Sequence, residues 1–300
     1  MTQKQSTSTN TRTDFFKLPS PLRHLFDTFP LITYDQNAIP QRLKQATHHH
    51  SLYVFTYPPG TSNSQLSPNP ACLKWQAYLH TRQVPFRIVS SSNHASPSGA
   101  LPYLQSARVS TNEPGSVQIT SSKLLRWTES QTGTIDEQDV RLDAYMALID
   151  QNIRNAWLYY MYLNQENLRA VAEKIYITPI SRSNSVRSIL KYQLQQAAKE
   201  QLQRTTPTLD EEDILDSAEV AFRSLNTLLG HDTFFSKKDV PGLFDCALFA
   251  YTQPLLALSD TRYDSSIRWA DDALVQKILP YEALIRHTQN MLRICGDGQA

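Results

Sequence analysis

The sequence predicts a chain in two parts: an α/β domain of roughly eighty residues and then an all-helical domain. Three observations predict it. Short β-branched and aromatic runs alternate with a helical pattern between residues 51 and 130. From Thr134 the apolar spacing changes to steps of three and four and stays there. Between the two patterns, Ser98-Gly99-Ala100-Leu101-Pro102-Tyr103-Leu104 sets a proline directly before an apolar run. Proline has no amide hydrogen for a sheet ladder, so Pro102 belongs at a strand start, an edge or a turn. A cis Leu101-Pro102 bond is predicted, which makes the stretch a fixed corner.

Residues 1–50 form an N-terminal extension. Its first 13 residues are poor in apolar side chains and rich in Ser, Thr and Gln, which cannot offset ordering entropy, so they are expected to be disordered. From 14 to 50 the character changes. Phe15, Phe16, Leu18, Leu22, Leu25, Phe26, Phe29 and Leu31 crowd among Pro19, Pro21, Pro30 and Pro40. That apolar surface reads as a docking arm, seated on the protein's own body or on a partner, with Phe15, Phe16, Leu22, Leu25, Phe26 and Phe29 as anchors. His48-His49-His50 has no carboxylate or cysteine nearby, and three adjacent histidines cannot all face one ion, so no metal site is read there.

The α/β domain spans 51–130. Leu52 to Thr56 reads as a buried strand ended by Pro58-Pro59-Gly60. Asn69 can cap a helix to Thr81 with Pro70 at its first position, and Phe86 to Val89 is a second strand, parallel to the first. Tyr103-Leu104 begins a third strand, and Val117 to Thr120 is a fourth. Ser121 or Ser122 then caps a helix through Leu124, Leu125 and Trp127.

The helical domain spans 134–300. Thr134-Ile135-Asp136-Glu137 is a capping box ahead of a stripe through Leu142, Tyr145, Met146, Ile149, Ile153, Trp157 and Tyr160. A second stripe runs through Val186, Ile189, Leu190, Leu194, Ala197, Ala198 and Leu202. A third follows the box Thr208-Leu209-Asp210-Glu211, carries Ile214, Leu215, Ala218, Phe222, Leu225 and Leu229, and stops at Gly230. The last helical region, Asp271 to Ile294, is broken near Pro280.

Composition narrows the function classes. With 29 Lys and Arg against 28 Asp and Glu, the net charge is +1, which points away from nucleic acid. The basic residues read as scattered among acidic ones, with no run that would draw the chain to an acidic membrane surface. Three cysteines, Cys72, Cys246 and Cys295, lie far apart without metal-ligand spacing and suggest a reducing compartment. No apolar run reaches the ~18 to 20 residues of a spanning helix.

An α/β half whose third strand follows a Leu-Pro corner, joined to an all-helical half, resembles the glutathione S-transferase architecture, whose first domain is thioredoxin-like. Val240-Pro241-Gly242-Leu243-Phe244-Asp245-Cys246-Ala247 looks like that fold's helix-capping hallmark, with glycine where Ser or Thr is usual. The resemblance makes Pro102 and Asp245 structural markers. Transferases of this fold carry a Tyr, Ser or Cys near the end of the first strand that stabilises the thiolate of glutathione. Tyr57 stands there, followed by an inserted Ser/Asn loop up to Pro70. The peptide's carboxylate sits at the start of the helix after the fourth strand, here Thr120-Ser121-Ser122, residues that also suit a plain helix cap. In such enzymes the backbone after the Leu-Pro corner also helps bind glutathione.

More specific wording lies in Leu52 to Thr56, in Asn69-Pro70-Ala71-Cys72-Leu73-Lys74-Trp75-Gln76 leading to Val84-Pro85-Phe86-Arg87, in Asn93-His94-Ala95-Ser96-Pro97-Ser98-Gly99-Ala100-Leu101-Pro102, in Asp245 through Tyr251 and in Leu279-Pro280-Tyr281-Glu282-Ala283-Leu284-Ile285-Arg286-His287. These resemble the metaxin family. That resemblance implies a non-enzymatic peripheral subunit, on the cytosolic face of the mitochondrial outer membrane, of the sorting and assembly machinery that inserts β-barrel proteins. It implies three partners: the barrel-forming core subunit, a second metaxin-like subunit, and precursors recognised by their C-terminal β-signal. It implies no catalytic residue, cofactor, metal or nucleic acid, and no transmembrane segment. A β-signal is a short strand of alternating apolar residues, held by edge augmentation or in an apolar groove. The alternative is a glutathione-dependent transferase or thiol enzyme.

Overall fold

The computed structural model describes residues 49–60, 65–107, 117–135, 139–205, 209–259 and 266–296, all within one compact unit, Ala46–Ala300. The predicted disordered stretch and the arm with Phe15, Phe16, Leu22, Leu25, Phe26 and Phe29 lie outside the described residues.

The α/β part runs β1 (His50–Val54), α1 (Pro70–Thr81), β2 (Phe86–Ser90), β3 (Tyr103–Gln105), β4 (Gln118–Thr120) and α2 (Ser121–Thr132). The four strands form one sheet in the order β2-β1-β3-β4. The β1–β2 pair is parallel and the other two pairs are antiparallel. Register places Leu52 opposite Ile88 on one side and Leu104 on the other, with Ile119 beyond Leu104. This row shares one face of the sheet because pleating repeats every two residues. It packs into a core that holds Leu73, Tyr78 and Leu79 of α1 and Leu124 of α2. Each such fully buried side chain contributes about 1.5 to 3 kcal/mol relative to exposure.

Helix α1 starts as predicted. The Asn69 side chain accepts from the Cys72 amide at 3.3 Å and Pro70 occupies the first turn. Buried Gln76 ties the preceding loop to the helix: its amide donates to the Gln65 carbonyl at 3.0 Å and its oxygen accepts from the Ser67 amide at 2.9 Å. The Leu101-Pro102 peptide is cis, as predicted. The first strand begins two residues earlier than predicted and ends at Val54. The start of α2 differs too. Neither Ser121 nor Ser122 caps it; Thr120 is the cap residue and makes no side-chain bond to the helix. Its hydroxyl meets that of Ser122 at 3.2 Å instead.

The helical part comprises α3 (140–163), α4 (165–177), α5 (Asn184–Gln203), α6 (Glu211–Leu229), α7 (Leu243–Ala257), α8 (Ala273–Ile278) and α9 (Glu282–Gly296). Helix α3 includes wider π-type turns at Leu148–Ile153 and Tyr159–Leu163. Of its predicted stripe, Ile149, Ile153, Trp157 and Tyr160 are buried, whereas Leu142, Tyr145 and Met146 are only partly covered. The cap preceding α3 is Asp139, which accepts from the Arg141 amide at 2.9 Å; part of the Thr134 to Glu137 box lies outside the described residues. Asp210 caps α6 by accepting from the amides of Glu212 and Asp213; Thr208 of the predicted box lies outside the described residues. Gly230 ends that helix with φ of +55°, a conformation that favours glycine.

Two features depart further from the sequence reading. Helix α4 was not predicted. Asn164 caps it, and buried Asn167 clamps the chain at 270–271: its oxygen accepts from both the Ala270 and Asp271 amides, and its nitrogen donates to the Asp271 carbonyl. In α5 only Ala198 and Leu202 are buried, while Val186 and Ile189, predicted as core, are exposed. Helix α7 is apolar nearly all round because it lies between the two parts, packing on α1 and α9. No helix among the described residues is long and apolar enough to cross a membrane.

Candidate functional site

The loop before the cis-proline corner is bonded to itself. Asn93 Oδ1 accepts from the Leu101 amide at 3.0 Å, so the last donor before the cis bond already has an acceptor. The Ser96 hydroxyl donates to the Ala100 carbonyl at 2.6 Å, and the Ser98 hydroxyl reaches the same oxygen at 3.3 Å. Gly99, at φ +74°, makes the turn between them. Leu101 and Tyr103 are buried. The residues that carry the most specific wording in the chain thus build a corner whose polar groups are satisfied internally.

The residues offered for thiol chemistry are placed unfavourably for it. Tyr57 packs against the helical core, and burial pushes its hydroxyl well above the ordinary range of a tyrosine. Cys72 lies in the first turn of α1, where a helix N-terminus ordinarily lowers a thiol's pKa. Here desolvation dominates: the side chain is fully buried and its thiol is pushed up to about 12 despite bonds toward Phe55 and Ser67. A thiol in that state is neither nucleophile nor leaving group near neutrality. Ser121 and Ser122 lie at the start of α2, where the Ser122 hydroxyl meets that of Thr120.

Asp245 holds the junction of the loop and α7. Fully buried, its carboxylate accepts from the Phe235 amide at 2.8 Å and the Gly242 amide at 2.9 Å, half of a capping box, since Gly242 has no hydroxyl to return the bond. It also meets His287 Nε2 of α9 at 2.9 Å. A carboxylate only accepts, so Nε2 is the donor in this pair, and the other ring nitrogen, Nδ1, is buried with no hydrogen-bond partner. The rings of Phe234 and Phe235 stand edge-on to the imidazole. The sequence marks Asp245 as structural but offers His287 only as the end of the metaxin-like closing stretch, with no role. Only its place in the α9 stripe, one polar ring among apolar positions, could have drawn attention to it.

Two grooves remain. The roomier, about 970 Å³, runs past the last turn of α1 and is lined by Arg82, Leu125, Val140, Met146, Val240 and Leu243 among others. Twelve residues of helix put it roughly 18 Å from the start of α1, so it does not contain Cys72 or Tyr57. The smaller, about 590 Å³, follows β2 and is lined by Val84, Pro85, Phe86, Ile88, His49 and His80. Strand β2 is a sheet edge, and among the described residues no strand pairs with its outer side. No three histidine, cysteine or acidic side chains gather as a metal site among the described residues.

Comparison with known proteins agrees with this architecture. The model of the glutathione S-transferase N-terminal domain matches residues 70–167, and that of the glutathione S-transferase C-terminal domain matches 218–291. Solved structures similar to the chain include a glutathione transferase family member from Pseudomonas fluorescens with two glutathione bound, at 11% identity and TM-score 0.48, covering 86% of this chain and 94% of that one. A beta-etherase from Sphingobium sp. is 12% identical with TM-score 0.49, covering 83% and 98%. Glutathione transferase Omega 1C from Trametes versicolor is 12% identical with TM-score 0.46, covering 83% and 90%. A search of curated protein sequences gives no match. The fold is glutathione S-transferase-like: a thioredoxin-like domain with a mixed sheet, then a helical domain.

Proposed function

Starting from a glutathione S-transferase-like fold, we propose that this chain is a non-enzymatic docking subunit. It acts as a peripheral, cytosol-facing member of the mitochondrial outer-membrane complex that inserts β-barrel proteins, in the manner of the metaxin-like small receptor subunit of the fungal sorting and assembly machinery. The observation that carries this reading is the bond from the Leu101 amide to Asn93. The stretch whose wording is most metaxin-like uses its own Asn93 side chain to occupy the backbone donor directly ahead of the corner after which a transferase's backbone helps bind glutathione. Buried Cys72 and half-buried Tyr57, both with raised pKa, point the same way.

The open edge of β2, with Phe86, Ile88, Val84 and Pro85 beside it, suits strand addition. A β-signal laid along it would gain main-chain hydrogen bonds and place alternate apolar side chains in the groove. The other partners are the barrel-forming core subunit and a second metaxin-like subunit.

Purification from detergent-solubilised mitochondria tests the reading. The chain is expected to copurify with a membrane-embedded β-barrel protein and to cross-link to an arrested precursor through residues flanking β2. Recovery as a free monomer would overturn it. Retention on immobilised glutathione that is lost in Tyr57→Phe or Ser121→Ala would instead establish transferase-type binding.

A further inference from the structure

Helix α5 carries a face that the core does not cover. Val186, Ile189 and Tyr192 are 42%, 58% and 64% exposed, and Ile180, in the turn before the helix, is 57% exposed. At 100° per residue the three helical positions span about a third of the circumference. They lie away from Leu190, Leu194 and Ala198, which pack on the core. Past Tyr192 the same arc turns polar with Gln193, Gln196 and Glu200, so the apolar part is confined to the first half of the helix and its entry turn.

Charge in this region is one-sided. Between Glu173 and Glu200 the chain has Lys174, Arg182, Arg187, Lys191 and Lys199 and no acidic residue, which corrects the reading of the basic residues as scattered among acidic ones. Lys191 pairs with Glu173. Arg187 donates to the Ser181 carbonyl and Lys174 to the Ser266 carbonyl, both neutral acceptors. Arg182 and Lys199 are exposed.

We propose that the turn at 178–183 and the first half of α5 form an interfacial surface that rests on an anionic lipid bilayer. Ile180, Val186, Ile189 and Tyr192 enter the headgroup boundary while Arg182 and Lys199 meet lipid phosphates. Apolar and aromatic side chains in a stretch whose charges, from Lys174 to Lys199, are all cationic are the chemistry such an interface takes up; the first acid on the arc, Glu200, lies two turns beyond Tyr192. The same charge disfavours a second copy of this face as occupant, since it would oppose like charges. The proposal stands apart from the β-barrel reading, because lipid vesicles alone test it.

The experiment is flotation of the full chain with vesicles of phosphatidylcholine, with and without phosphatidylserine, with melting temperatures showing that each variant is folded. Binding is expected to need phosphatidylserine and to fall as salt rises. Arg182→Gln is expected to weaken it about fivefold, and Ile189→Gln with Tyr192→Gln at least as much. Val220→Gln, on the exposed side of α6, is expected to leave it unchanged. Three results would each overturn the proposal: no flotation with phosphatidylserine vesicles at low salt, equal weakening by Val220→Gln, or self-association abolished by Ile189→Gln without vesicle binding.

Discussion

Replacing Asp245 by alanine isolates the contribution of the buried junction between the loop and α7. The carboxylate accepts from two backbone amides, at 2.8 and 2.9 Å, and from His287 at 2.9 Å, and all three donors are buried. Each orphaned donor costs about 1 to 3 kcal/mol. Water entering the space vacated by the carboxylate recovers part of that, so a net loss of about 4 kcal/mol is expected, in the range for breaking a buried pair. For a folded unit of this size, each kcal/mol moves the melting temperature by about 2 to 4 °C. Asp245→Ala is therefore expected to melt about 8 to 16 °C lower by circular dichroism. Asp245→Asn keeps the shape and one acceptor oxygen, and is expected to lose roughly half as much. A drop of less than about 3 °C for the alanine variant would refute the reasoning, since three orphaned donors cannot be that cheap.

Three further outcomes follow from the same structure. Cys72, Cys246 and Cys295 are all buried and burial raises every one of their thiols, so iodoacetamide at pH 7.5 is expected to label none in the native protein and all three in urea; rapid native labelling of Cys72 would reopen thiol chemistry. Burial, then the neighbouring His49, lowers the pKa of His50, whose Nδ1 accepts from the Ala107 amide at 2.9 Å. The unfolded chain therefore binds that proton more readily, and stability is full above the ordinary histidine value of about 6.5 and lost as pH falls through it. The melting temperature should rise more steeply between pH 5.5 and 7 in the parent than in His50→Gln, and identical slopes would contradict this. Asn93→Ala strands the Leu101 amide and is expected to cost about 1 to 2 kcal/mol; an unchanged melting temperature would show that Asn93 does not close the corner.

The elements that were legible in the sequence owe their legibility to local chemistry. Pro102 announces its corner because a residue without an amide hydrogen has few places to stand, and Asn69-Pro70 announces α1 because both residues suit a helix start. Asp245 was legible for the same reason, lying three residues past its cap. What stayed hidden is what tertiary contact decides. Nothing near Asp245 in sequence points to His287, 42 residues on, and Asn167 is polar in a region whose clamp partners lie more than a hundred residues away. The cap of α6 is Asp210, a residue of the predicted box that spacing alone does not single out as the one that bonds the helix amides. Val186 and Ile189 have core spacing but no core beside them; periodicity gives the face of a helix, not what covers it. The acid-free run from Lys174 to Lys199 was present in the sequence and emerges only once the exposed apolar face is set beside it.

The Asn93 to Leu101 bond also sets a concentration scale. The acceptor is tethered eight residues from the amide it serves, so any incoming carbonyl competes with an intramolecular group whose effective concentration is on the order of millimolar or above. A tripeptide present at similar concentration would at best divide the amide with Asn93, and its remaining contacts would have to supply all of its affinity.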